Sequence, residues 1–143
     1  MSKFYNNAII GNKNIVASYT KFGELQRLCF PEIDGRQFID HFRVGVKVND
    51  SNIIYLHQDI NNKYNQRYLE NANILVTNIE NTYFNFKIEQ TDCVLIDKNI
   101  LVKKYVINNV SKIDLDFKFI INSKILSGNL ENFGSKIIDN GII

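Results

Sequence analysis

Residues 113–121 read Ile-Asp-Leu-Asp-Phe-Lys-Phe-Ile-Ile, with Ile113, Leu115, Phe117, Phe119 and Ile121 on one side of the alternation and Asp114, Asp116 and Lys118 on the other. A period of two puts every second side chain on the same face of an extended chain, so the stretch is predicted as a strand with one apolar and one wet face. Upstream, residues 101–108 alternate in the same way and are set off by the turn Asn108, Asn109, Val110, Ser111 and Lys112. Residues 83–92 bring Phe84, Phe86 and Ile88 to one face, and residues 74–80 form another strand before a break at Asn81. Over residues 42–48 the face is Phe42, Val44, Val46 and Val48. The turn Asn49, Asp50, Ser51 and Asn52 follows, and residues 53–56 return as a hairpin partner. Residues 57–65 are polar with no clear period and are read as a surface loop.

Two short strands are predicted near the N-terminus, residues 15–19 and 25–30, joined by Thr20, Lys21, Phe22 and Gly23. Gly23 supplies the positive φ of a tight return, and Pro31 ends the second strand. An irregular loop follows: Pro31, Glu32, Ile33, Asp34, Gly35 and Arg36. Residues 127–134 are rich in turn formers. Residues 135–143 read as one more short strand, interrupted by Asp139, Asn140 and Gly141, with only Ile142 and Ile143 beyond. No stretch shows the helical period. Short strands separated by Asn, Gly and Asp breaks predict an all-β, antiparallel β-sandwich. Residues 1–143 are expected to be one such domain, or a fragment of one.

Composition narrows the function classes. The chain has 143 residues, 45% of them hydrophobic and 22% charged, which suits a globular domain with a real core. Formal charge is +2 with no basic run, and Lys103 and Lys104 would fall on opposite faces of their strand. A nucleic-acid partner is therefore not expected. Neither a membrane span nor a leader segment is visible, so the expected location is cytoplasmic. Cys29 and Cys93 lie in apolar strand patterns and read as reduced core thiols with no His placed beside them.

Candidate chemistry is sparse. The carboxylate pairs are Asp114 with Asp116, Glu32 with Asp34, and Glu89 with Asp92. The first reads as a solvated outer face and the second as turn chemistry. His41 and His57 lack ligand spacing, and the loop from Asp59 lacks the glycine and closing glutamate of a calcium loop, so no metal or cofactor is expected. There is no phosphate-cradling loop and no nucleophile elbow. Tyr55, Tyr64, Tyr68 and Tyr83 could stack on sugar rings, with Tyr55, Tyr64 and Tyr68 the candidate carbohydrate contacts.

Three groups of residues then carry a resemblance: Ile10, Gly11 and Asn12; Lys21 to Glu24; and Cys29, Pro31 and Asp34. In this order they resemble the opening of the N-terminal domain of bacterial and archaeal glucoamylase-type proteins, glycoside hydrolase family 15. The likeness continues through residues 34–49, 54–62 and 80–84, covering most of residues 7–123. It implies a galactose-mutarotase-like β-supersandwich that precedes an (α/α)6 barrel. In that family the barrel hydrolyses α-glucosidic bonds by inversion with two glutamates, and no catalytic residue carries over to this chain. The family's sandwich is longer, so this chain would supply its first part. An open sheet edge would result, with a homodimer as the expected consequence. Pro31, Asp34 and Arg36 are the candidate interface with the barrel. The alternative is a stand-alone carbohydrate-binding module for α-glucan.

Overall fold

The computed structural model describes residues 7–31 and 36–126. Among them there are strands and turns but no helix, and so no helix long and apolar enough to cross a membrane. The strands are β1 (Ala8–Gly11), β2 (Val16–Tyr19), β3 (Leu25–Phe30), β4 (Arg36–Gln37), β5 (Ile39–Val48), β6 (Ile54–Tyr55), β7 (Asn62–Tyr68), β8 (Ile74–Asn81), β9 (Phe86–Val94), β10 (Leu101–Asn109) and β11 (Phe117–Ile125). All pairings are antiparallel. They build an N-terminal sheet β1-β2-β3-β4, a central sheet β11-β5-β6 and a meander sheet β10-β9-β8-β7.

The meander sheet is the layer shared by two cores. At one end Leu75 and Val94 pack on Ala8, Ile10, Ala17, Tyr19 and Leu25 of the N-terminal sheet. At the other, Ile79, Phe86 and Ile88 pack on Val44, Val46, Val48 and Leu56 of the central sheet. Phe42 touches both cores. The fold is thus an all-β, sandwich-like packing of antiparallel sheets, with two half-layers covering one full layer.

Several strand limits differ from the sequence reading. The alternation over residues 113–121 becomes a strand only at Phe117, and Ile113 is 66% exposed. Local side-chain bonds hold the earlier residues out of the ladder. Asn109 Nδ2 and Ser111 Oγ donate to the Ile113 carbonyl at 2.8 and 2.6 Å, and Asp116 N donates to Asn49 Oδ1 at 2.9 Å. The break expected at Asn81 falls later: Asn81 ends β8, and its Oδ1 accepts from the backbone of Tyr83 and Phe84 in the turn. Tyr83 and Phe84 thus belong to that turn and not to β9, and Asn85 closes it at a φ of 57°.

Residues 57–65 are not only a loop, because β7 begins at Asn62. Its inward side chains, Asn62, Tyr64 and Gln66, are polar and give no hydrophobic period to detect. Each finds a partner instead: Asn62 Nδ2 and Tyr64 OH donate to the Leu56 carbonyl at 2.8 and 2.6 Å, and Gln66 Nε2 donates to the Thr20 carbonyl at 3.0 Å. Strand β1 was also missed, being only four residues long. The strand expected over residues 135–143 lies outside the described residues.

Candidate functional site

The turn between β2 and β3 is where the three sheets meet. Thr20 Oγ1 accepts from the backbone N–H of Phe22 and Glu24, both at 3.2 Å, and Gly23 N donates to the Thr20 carbonyl at 3.0 Å. Gly23 has φ +83°, and a methyl group on it would stand 2.9 Å from Thr77 Cγ2. Only glycine meets both demands without strain.

Beneath this turn, the meander sheet carries a polar row. Gln66, Thr77, Gln90 and Tyr105 stand opposite one another across β7, β8, β9 and β10. The turn's carbonyls point at that row and at its neighbours. Thr20 O accepts from Gln66, Gly23 O accepts from Gln90 Nε2 at 2.8 Å, and Phe22 O accepts from His57 Nδ1 at 2.9 Å. The last contact fixes the tautomer, since a carbonyl can only accept. Burial lowers the His57 pKa to about 4, aided by the nearby charge of Lys103 and opposed by the Phe22 carbonyl. His57 is therefore neutral near pH 7.

Next to the row lies the one buried charge pair among the described residues. Asp92 Oδ1 meets Lys103 Nζ at 2.5 Å, with the carboxylate side chain fully buried and the lysine 10% exposed. Asp92 Oδ2 accepts a second bond from Gln90 Nε2 at 2.6 Å. Three rings surround the ammonium: Tyr19, Phe42 and Tyr105, with centroids 4.8, 5.4 and 5.9 Å from Nζ. Burial pulls the Lys103 pKa down, and Asp92 opposes that shift. Burial and the Asp92 charge push both phenols, Tyr19 and Tyr105, up. The Tyr19 hydroxyl lies beside Asp92 but outside hydrogen-bonding geometry.

This cluster cannot run acid–base chemistry on an outside substrate. Its carboxylate is fully buried and already accepts from Lys103 and Gln90, so a sugar bound at the surface does not reach it. Its chemical role is to fix three sheets in one relative position.

The other candidates are dispersed. Glu89 is exposed while Asp92 is buried, on opposite faces of β9, so they form no working pair. Asp114 and Asp116 are exposed, and Asp116 is 3.6 Å from Lys118. Glu32 and Asp34 lie outside the described residues; Pro31 and Arg36, on either side, are exposed. Asp59 Oδ1 accepts from Asn61 N at 2.7 Å in a local turn, and the described residues hold no group of three or more metal-ligating acids, histidines or cysteines. Cys29 and Cys93 are free and half-buried.

The tyrosines do not share a platform. Tyr55 is half-buried in β6 opposite Gly45, whereas Tyr64 and Tyr68 belong to β7 in the meander sheet. The Tyr64 ring meets Phe22 in a tilted contact, centroids 4.8 Å apart, and its hydroxyl donates to Leu56 O. Tyr68 OH accepts from Ile9 N and donates to Ile9 O, both at 2.8 Å, and so ties β7 to β1 while its ring stays 47% exposed. Tyr83 is 70% exposed in its turn. Two surface clefts formed by described residues, about 600 and 520 Å³, lie at hairpin ends, and Asp97 is the only carboxylate among their lining residues.

The ion pair was the feature the sequence reading missed. Its signal was present: Asp92 is in phase with Phe86 and Ile88, and Lys103 is in phase with Leu101 and Tyr105. A charge on the apolar face of each of two successive strands points to a buried pair.

With this geometry in view, comparison with known proteins adds one relative. A protein of Methanocaldococcus jannaschii named as an uncharacterized glycosyl hydrolase is 27% identical over 114 residues, covering 80% of this chain and 18% of the relative. The chain is thus related to a glycoside hydrolase and spans less than a fifth of that relative's length. No protein-family model and no solved structure matches the chain.

Proposed function

We propose that this chain is a non-catalytic β-sandwich domain of a glucoamylase-type glycoside hydrolase. In this reading it corresponds to the first part of the family's N-terminal supersandwich. It packs against an (α/α)6 barrel that hydrolyses α-glucosidic bonds, with the exposed Pro31 and Arg36 as candidate contacts together with Asp34, which lies outside the described residues. The observation that carries the reading is a pairing of two facts. The chain is related to a glycosyl hydrolase, yet its one buried carboxylate among the described residues is locked to Lys103. Hydrolysis with inversion needs two opposed, substrate-facing carboxyl groups.

The test is to offer maltooligosaccharides to the isolated chain, then to mix the chain with an (α/α)6 barrel polypeptide of the glucoamylase type. Expected are no reducing-sugar release, no saturable binding, and co-elution with the barrel together with a raised barrel Tm. Hydrolysis by the chain alone would overturn the proposal. Saturable oligosaccharide binding without barrel association would favour the carbohydrate-binding module instead.

A further inference from the structure

The meander sheet has a second face. Leu75 and Ile79 of β8 enter the two cores, so alternation sends Ile74, Val76 and Asn78 outward. Such an outer face is ordinarily polar from end to end. Here only one end is. The register sets Lys63, Glu80, Lys87 and Asn108 in one row across β7, β8, β9 and β10. At the other end Ile74, Cys93 and Val102 stand directly opposite one another. The row beside them holds Val76 and Thr91 between Arg67 and Lys104. Val102 is 38% exposed. The patch runs on into the cleft of about 600 Å³, where Ile74 and Cys93 meet Leu95 and Ile96, and Ile96 is 86% exposed. The hairpin that carries Ile96 is fixed from below, since Asn12 Nδ2 donates to the carbonyls of Leu95 and Lys98 at 2.8 and 3.1 Å. A contiguous apolar patch on a fixed frame marks a contact surface, where scattered single side chains would not.

We propose that this corner of the outer face docks a protein segment whose apolar residues are flanked by carboxylates, supplied by the catalytic barrel. The barrel as source rests on the hydrolase reading, and the chemistry of the segment rests on charge. Arg67 and Lys104 flank the patch from the two outer strands, are exposed, and enter no ion pair among the described residues. The cleft's own charges, Asp97 and Lys98, balance. Over the whole face the four strands present Lys63, Arg67, Lys87 and Lys104 against Glu80 and Glu89. A second copy would therefore set surplus positive charge against surplus positive charge, whereas a partner's carboxylates would meet it. The relative has further polypeptide from which such a segment can come, because the matched part is 18% of its length.

The experiment uses the full chain of 143 residues and an (α/α)6 barrel polypeptide of the glucoamylase type. Maleimide labelling located by mass spectrometry reads the face directly, because Cys93 is free and half-buried there. Adding the barrel should slow labelling of Cys93 by roughly tenfold or more. Ile96→Asp with Val102→Asp, both at exposed positions, should weaken barrel association by roughly tenfold while the chain keeps its own Tm. Arg67→Glu with Lys104→Glu should weaken association too, and should flatten its dependence on salt. Suppose the native chain binds the barrel, both double variants bind equally well, and Cys93 is labelled at its free rate. The docking site is then wrong and the hydrolase reading stands. A native chain that does not bind the barrel overturns both. Cys93 protection that instead rises with protein concentration, alongside a dimer in light scattering, would put a second copy on this face and overturn the assignment to the barrel.

Discussion

Lys103 stands directly opposite Asp92 in the β9–β10 ladder, and both side chains point into the protein, where the carboxylate is fully buried. Each charge is tolerable only because the other is there. Removing one partner leaves the survivor desolvated and unpaired. Asp92→Leu and Lys103→Met should each lower unfolding stability by about 3–5 kcal/mol in urea titrations. The double variant Asp92→Leu, Lys103→Met should recover much of the loss, because an apolar pair abandons no charge. A double variant as unstable as the two single losses added together would show the two residues to be energetically independent.

The interior histidine sets an acid limit on stability. His57 has its folded pKa lowered from 6.5 to about 4. Below pH 6.5 the unfolded chain takes up the proton while the folded one does not, so stability falls as pH falls through this window and the effect saturates near pH 4. The full loss from this group is roughly 3 kcal/mol. Urea midpoints measured from pH 7 to 4 should therefore fall more steeply for the native chain than for His57→Gln. Parallel curves would remove His57 from the account.

Gly23 is held by conformation and by contact at once. Its φ of +83° costs an L-residue about 1–3 kcal/mol, and the added methyl would press on Thr77. Gly23→Ala should lower Tm through both causes. Adding Thr77→Ala should return only the contact part, leaving the backbone part in place. Full recovery would show that the φ carries no cost here.

Tyr68 closes the edge of β1 with one hydroxyl that serves both the N–H and the carbonyl of Ile9. Tyr68→Phe should cost about 1 kcal/mol, the net worth of a hydrogen bond, and should speed exchange at the Ile9 amide specifically. A stability unchanged by the substitution, with oligosaccharide binding abolished, would make Tyr68 a ligand contact and not a clamp.

Several elements could be read directly from residue order because their causes are local. The face of Phe42, Val44, Val46 and Val48 in β5, the bounds of β3, and the glycine turn at Gly23 follow from alternation and from φ preference. The candidate site was legible only in fragments. Asp92 and Lys103 could be phased onto inward faces, but β7 could not be seen, because Asn62, Tyr64 and Gln66 look solvent-facing until their partners are known.

By itself, then, the sequence determined an antiparallel all-β protein, since period-two patterning is a property of neighbouring residues along the chain. Tertiary structure alone decided that the Thr20 to Gly23 turn would roof a polar row, that Lys103 would neutralise Asp92, and that the Tyr68 hydroxyl would tie β7 to β1. Those outcomes depend on groups distant in sequence. A buried polar side chain is acceptable only where folding delivers its partner, and no local pattern encodes that delivery.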